Sequence, residues 1–140
     1  MIAASFNPMK SMSVLVVDDE EDICLLLDQW LKPLGHTVAM AANATEAGKL
    51  VKRVIFDLVV TDVLMPDGDG LKLIEELKKT QPGARILAIS GGGRYMDSND
   101  CVKIARGLGA DLAIIKPFGR EKFLQAVAET IASRSDSVAR

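Results

Sequence analysis

Five short apolar runs, each followed by a polar break and then a stretch of helical periodicity, constrain this chain more than any other feature. The runs are SVLVV (13–17), TVAMAA (37–42), DLVVT (57–61), RILAIS (85–90) and DLAII (111–115). Strands that read as nearly unbroken apolar segments belong in a sheet covered on both faces, which means a parallel sheet. Between them, apolar residues recur every three or four positions, as one face of a helix requires. The stripes are Ile23, Leu26, Leu27, Trp30 and Leu31, then Ala47, Leu50, Val51 and Val54, then Leu71, Ile74 and Leu77. Val102, Ile104, Ala105 and Leu108 form the fourth, and Phe123, Leu124, Val127 and Ile131 the fifth. Gly35 stands where the first helix should end, and Asn43 with Glu46 three residues on is a capping pattern for the second. Right-handed crossovers leave a flavodoxin-like doubly wound α/β fold, (βα)5 with strand order 2-1-3-4-5. The second run is the least apolar, as suits an edge.

The 140 residues suffice for one domain. The expected boundaries are a flexible arm over 1–12, the folded domain over 13–134, and a tail or linker over 135–140. With 49% apolar and 26% charged residues and a net charge of −2, the chain carries no electrostatic footprint for nucleic acid or an anionic membrane. No apolar stretch approaches the roughly 20 residues of a membrane helix, and the start lacks the features of a secretory signal. Cys24 and Cys101 sit apart within helical patterns and read as reduced thiols of a cytoplasmic protein.

In an open parallel sheet, ligands bind beyond the carboxyl ends of the strands. There the first strand delivers Asp18 and Asp19, the third Asp62, the fourth Ser90 followed by Gly91 to Gly93, and the fifth Lys116 and Pro117. Taken singly, Asp18 or Asp19 reads as a helix cap, Asp62 as a turn residue, Ser90 as a strand-end hydroxyl and Lys116 as a solvated chain. Caps and turns do not require all these groups to share one rim, so the set points to chemistry. Two unit charges 4 Å apart repel by about 4 kcal/mol at an effective dielectric of 20. Three clustered carboxylates therefore take up a proton or hold a cation, and Mg²⁺ (or Mn²⁺) suits such oxygen donors. Asp62, between that cation and Lys116, is then an ionised carboxylate able to attack phosphorus, with Ser90 near the transferred group.

The motifs VVDDEED, VVTDVLMPDGDG, AIS and IIKPF, in this order and spacing, closely resemble the receiver domain of two-component response regulators, over Ser13 to about Ser133. The resemblance implies that Asp62 is the phosphoacceptor and that Asp18 and Asp19 form the metal pocket, Asp19 more directly, with the Leu64 carbonyl completing it. Ser90 becomes the switch hydroxyl, Lys116 the phosphate-pairing lysine, and the Lys116–Pro117 bond a cis candidate. The implied partners are a sensor histidine kinase or histidine phosphotransfer protein, and a downstream protein target. The implied activity is signalling rather than enzymatic, limited to the domain's own aspartyl phosphorylation and slow dephosphorylation. The chain resembles a single-domain response regulator or a receiver cut from a longer protein. It departs from the family in two places. Ala113 stands where receivers usually carry an aromatic switch residue, and Tyr95 is a candidate to fill the space. Gly92, two residues after the switch serine, brings no side chain near the phosphoryl group, which implies an accessible phosphoaspartate.

Rival readings fail on particular residues. A dehalogenase-type phosphohydrolase needs a second aspartate where Leu64 stands. A calcium loop read from Asp67 and Asp69 meets Leu71 and Lys72 where an acid and a glycine are required. SGGGR lacks the spacing of a nucleotide loop, and a lone His36 in a helix–strand turn reads as incidental to phosphotransfer. The remaining alternative is a non-switching receiver acting as an adaptor that docks a partner, which Ala113 favours and the complete acidic pocket opposes.

Overall fold

The computed structural model describes residues 10–65, 70–91 and 98–139, with the backbone alone for 98, 101 and 133–139. Five strands alternate with five helices: β1 Ser13–Val17, α1 Glu21–Leu31, β2 Thr37–Ala41, α2 Ala44–Val51, β3 Leu58–Asp62, α3 Gly70–Thr80, β4 Arg85–Ser90, α4 Ser98–Leu108, β5 Leu112–Ile115 and α5 Arg120–Ala139. The strands form one parallel sheet in the order β2-β1-β3-β4-β5. The alternation of side chains along each strand divides the core into two layers. Leu15, Val17, Val59, Ile86 and Ala88 pack with Ala47, Val51, Leu73, Ile74, Leu77 and Ala105 of α2, α3 and α4. Val14, Val16, Leu58, Val60, Leu87 and Ile89 pack with Cys24, Leu27 and Leu31 of α1 and Phe123 and Val127 of α5. β2 is an edge and the most exposed strand, as its composition predicts.

The helix ends follow the local signals. A single 3₁₀ turn, Lys32–Leu34, closes α1, and Gly35 then adopts a left-handed φ of 94°, which favours glycine. At α2, Asn43 accepts from the Glu46 N–H at 2.8 Å, and Glu46 reaches back to the Ala42 N–H at 3.0 Å.

Several boundaries and faces differ from expectation. Leu26 is 38% exposed, because it lies about 200° around α1 from Cys24, on the far side of the buried arc. Ile104 is exposed for a like reason, and Val54 falls beyond α2, which ends at Val51. The described fold takes in Met12, ahead of the expected start at Ser13: Met12 is buried, its carbonyl accepts from Thr37 N–H at 2.9 Å, and its N–H donates to His36 at 3.1 Å. Residues 1–9 of the expected arm lie outside the described residues. At the other end, α5 runs on to Ala139, so the segment expected as a tail or linker is helical through that residue. ASRSDSVA contains neither proline nor glycine to stop it.

Candidate functional site

Each functional side chain is placed by the last rungs of the sheet. Asp18 follows β1, with its N–H still bonded to Ala41 O at 3.2 Å. Asp62 is the last residue of β3, paired with Ile89 of β4, so it lies inside the strand rather than after it. Ser90 ends β4, and its carbonyl accepts the Lys116 N–H at 2.8 Å, which carries Lys116 to the same rim. The Lys116–Pro117 peptide is cis. Phe118 anchors the loop that follows, stacked on Phe123 at 5.8 Å between ring centroids and tilted against Trp30 at 6.4 Å. On the opposite side, Gly70 begins α3 directly against the end of β3. A Cβ there would collide with the Asp62 carbonyl oxygen and the Val63 backbone, so only glycine lets α3 approach this closely.

The expected residues converge. Oxygens of Asp18, Asp19 and Asp62 lie within 4.8 Å of one another. Asp18 is 1% and Asp62 4% exposed, Ser90 is buried, and Asp19 is exposed. The Lys116 ammonium ion-pairs with Asp18 Oδ2 at 3.2 Å, Asp62 Oδ2 at 3.4 Å and Glu20 Oε1 at 3.0 Å. Asp62 Oδ1 accepts the Leu64 N–H at 3.2 Å, and Asp18 Oδ1 accepts the Glu20 N–H at 2.9 Å. Tyr95 and Gly92 lie outside the described residues. Ala113 is half-buried and lines a groove of about 580 Å³ between α4, β5 and α5, with Val102, Ile115 and Gln125 on its walls.

The electrostatics of the rim are unbalanced. Burial and the neighbouring Asp18 push the Asp62 carboxyl up to about 6, against the opposing pull of Lys116 and the Leu64 N–H. Burial raises Asp18 as well, although the Glu20 N–H and Lys116 oppose it. Burial alone would lower Lys116, but Asp62, Glu20 and Asp18 together hold it well above the usual lysine range. One ammonium thus serves three carboxylates. Asp18 Oδ2 is buried and, among the described residues, aligned with no hydrogen-bond donor. A buried carboxylate oxygen that meets only a shared ammonium, beside two further carboxylates, is a donor set that fits a hard cation. Glu20 was not among the residues the sequence reading placed here. Its one sequence signal is its position directly after the aspartate pair.

Residues 14–128 match the family model of the response regulator receiver domain. The chain is 34% identical over 131 residues, 94% of its length, to the DNA-binding transcriptional regulator NtrC of Azospirillum brasilense. It is 32% identical, over 79% of its length, to the Regulator of RpoS of Escherichia coli K12. It spans about a quarter to a third of these relatives, 26% and 32% respectively. Among solved structures, the beryllofluoride-activated NtrC4 receiver domain dimer superposes with a TM-score of 0.75 at 36% identity, covering 86% of this chain and 96% of that one. NtrX from Brucella abortus superposes with a TM-score of 0.81 at 28% identity, covering 93% of this chain and 29% of that one. The chain belongs to the receiver domain family of two-component response regulators. Among the described residues, no helix is long and apolar enough to cross a membrane.

Proposed function

We propose that the chain, over residues 13–134, accepts a phosphoryl group on Asp62 from the phosphohistidine of a sensor histidine kinase or a histidine phosphotransfer protein. The observation that carries this reading is Asp62 itself, a buried carboxylate flanked by a second buried carboxylate and faced by an ammonium at 3.4 Å. Asp18, Asp19, Asp62 and the Leu64 carbonyl are the groups that would hold Mg²⁺ or Mn²⁺. That cation, when bound, supplies positive charge that keeps Asp62 ionised and offsets the charge of the phosphoryl oxygens.

An Asp62 oxygen then attacks phosphorus, the P–N bond to the donor histidine breaks, and the electron pair returns to the imidazole. Lys116 pairs with one phosphoryl oxygen, and the Ser90 hydroxyl donates to another. A shift of the Ser90 hydroxyl toward the phosphoryl group would pass the signal to a protein target. With Ala113 in β5, that signal does not pass through a side-chain aromatic at this position.

The test is mass spectrometry after incubation with Mg²⁺ and a small-molecule phosphodonor. A one-phosphate increase that Asp62→Ala abolishes is expected, and an adduct that survives the substitution would overturn the assignment.

A further inference from the structure

Glu20 is an unusual residue for its place. It is the N-cap of α1, in extended conformation with φ −89° and ψ 108°, and its side chain makes no capping bond. That position favours Ser, Thr, Asp or Asn, whose short side chains can return to the helix N–H groups. The backbone of Glu20 is fixed on both sides. Its N–H donates to Asp18 Oδ1 at 2.9 Å, and its carbonyl accepts from Ile23 and Cys24 N–H at 3.0 and 3.2 Å. From that fixed base the side chain turns to Lys116, and the resulting 3.0 Å contact is the shortest of the three that the ammonium makes. A local rule is broken at a functional rim, and the side chain it displaces reaches a functional group.

The other two partners of Lys116 have work elsewhere, since Asp18 and Asp62 belong to the acidic cluster. Glu20 does not belong to it. When Asp18 and Asp62 turn to a cation, Glu20 remains as the carboxylate holding the ammonium. We propose that Glu20 is a positioning residue that gives Lys116 a resting seat on the β1–α1 side of the site, and that Lys116 leaves this seat to engage a phosphoryl group on Asp62. The inference rests on Asp62 being the phosphoacceptor. The seat is weak by construction, because the Glu20 side chain is 59% exposed. An ion pair with a solvated partner shifts an equilibrium by about two- to fivefold.

The experiment compares the full chain with its Glu20→Gln and Glu20→Asp variants, using two readouts. The first is solvent exchange of the Lys116 ammonium in ¹⁵N-lysine-labelled, metal-free protein. The second is the rate constant for Asp62 phosphorylation by phosphoramidate with Mg²⁺. Glu20→Gln is expected to speed both by about two- to fivefold at an unchanged melting temperature. Glu20→Asp keeps the charge but is one methylene shorter, and it should behave like Glu20→Gln. Unchanged ammonium exchange in Glu20→Gln overturns the seat. So does a Glu20→Asp variant that matches the wild type while Glu20→Gln differs, because Glu20 would then act through its field rather than its contact. If exchange responds as expected but the wild type takes up no phosphate, the hold on Lys116 stands and the acceptor reading alone fails.

Discussion

The two ends of the sheet use similar polar residues to opposite effect. At the amino end of the strands, Asp57 accepts the Ser13 N–H at 2.8 Å and Asp111 accepts the Ile86 N–H at 2.8 Å. Gln81 there accepts the Phe56 N–H at 2.9 Å and donates to the Val51 and Val54 carbonyls at 2.8 Å each. Each of these side chains closes an account of backbone groups that would otherwise be unpaired. At the carboxyl end, Asp18 and Asp62 are buried where Asp57 is exposed and Asp111 half-buried, and they face each other and share one lysine. The aspartates at the amino end hold strands in register. Those at the carboxyl end are held by strands, against their own repulsion. A strand-end carboxylate with its own backbone donor does not mark a functional site; buried carboxylates crowded round one shared ammonium do.

The sharpest way to break this comparison is Gln81→Ala. It strands three backbone groups, and a loss of about 3–5 kcal/mol in urea denaturation is expected. A loss below 1 kcal/mol, on the order of a single exposed hydrogen bond, would mean that water replaces the amide and that the amino end is not tightly matched. Next in size is Asp62→Asn, which removes one of two crowded charges. In chelator at pH 7 it should stabilise the protein by about 2–3 kcal/mol, the equivalent of the rise from 3.8 to about 6. Added Mg²⁺ should narrow that gap by stabilising the wild type more than the variant. A destabilised Asp62→Asn would show that Lys116 outweighs the repulsion. Asp57→Ala, at a solvent-accessible rung, should cost only about 0.5–1 kcal/mol in the same denaturation assay.

The effect of pH is spread over several units, and here the two ends oppose each other. Asp62 binds its proton more tightly folded than unfolded, so its contribution to the metal-free protein falls as pH rises from about 4 to about 6. His36 at the amino end is 4% exposed, and burial lowers its proton affinity below the usual 6.5. Its Nδ1 accepts the Met12 N–H, which requires the neutral ring. The contribution of His36 is therefore complete above about pH 6.5 and is lost as pH falls through its lower folded value, with a slope of at most about 1.4 kcal/mol per pH unit. His36→Asn should flatten that part of the stability profile, whereas Asp62→Asn should flatten the part that slopes the other way. Identical profiles in melting experiments would remove the distinction between the two ends.

Much of this was legible before any coordinates. The apolar runs locate all five strands to within a residue, because a strand buried on both faces has little freedom in composition. Asp18, Asp62, Ser90 and Lys116 could be brought together on paper, because a parallel sheet puts every strand's carboxyl end on one rim. His36 reads correctly as incidental to phosphotransfer, but its role in tying Met12 to the turn after α1 has no sequence signature. Gln81 reads only as the start of a QPG turn, since the three groups it satisfies lie 25 to 30 residues away. Glu20 passes for an ordinary acidic residue at a helix start, and its partner is 96 residues on.

The sequence by itself determined the period of each element, the class of sheet and the side chains that each strand delivers to the rim, because these follow from local spacing and chain direction. The tertiary structure decided which acids are buried, which of them face one another and which one Lys116 leans on. Those outcomes depend on distances between strands. Asp18 and Asp19 are neighbours in the chain with the same carboxyl group, yet one is sealed against Lys116 and the other lies open to solvent. A carboxylate's proton affinity is set by how much water and how much charge surround it, and both are properties of the packed rim rather than of the residue.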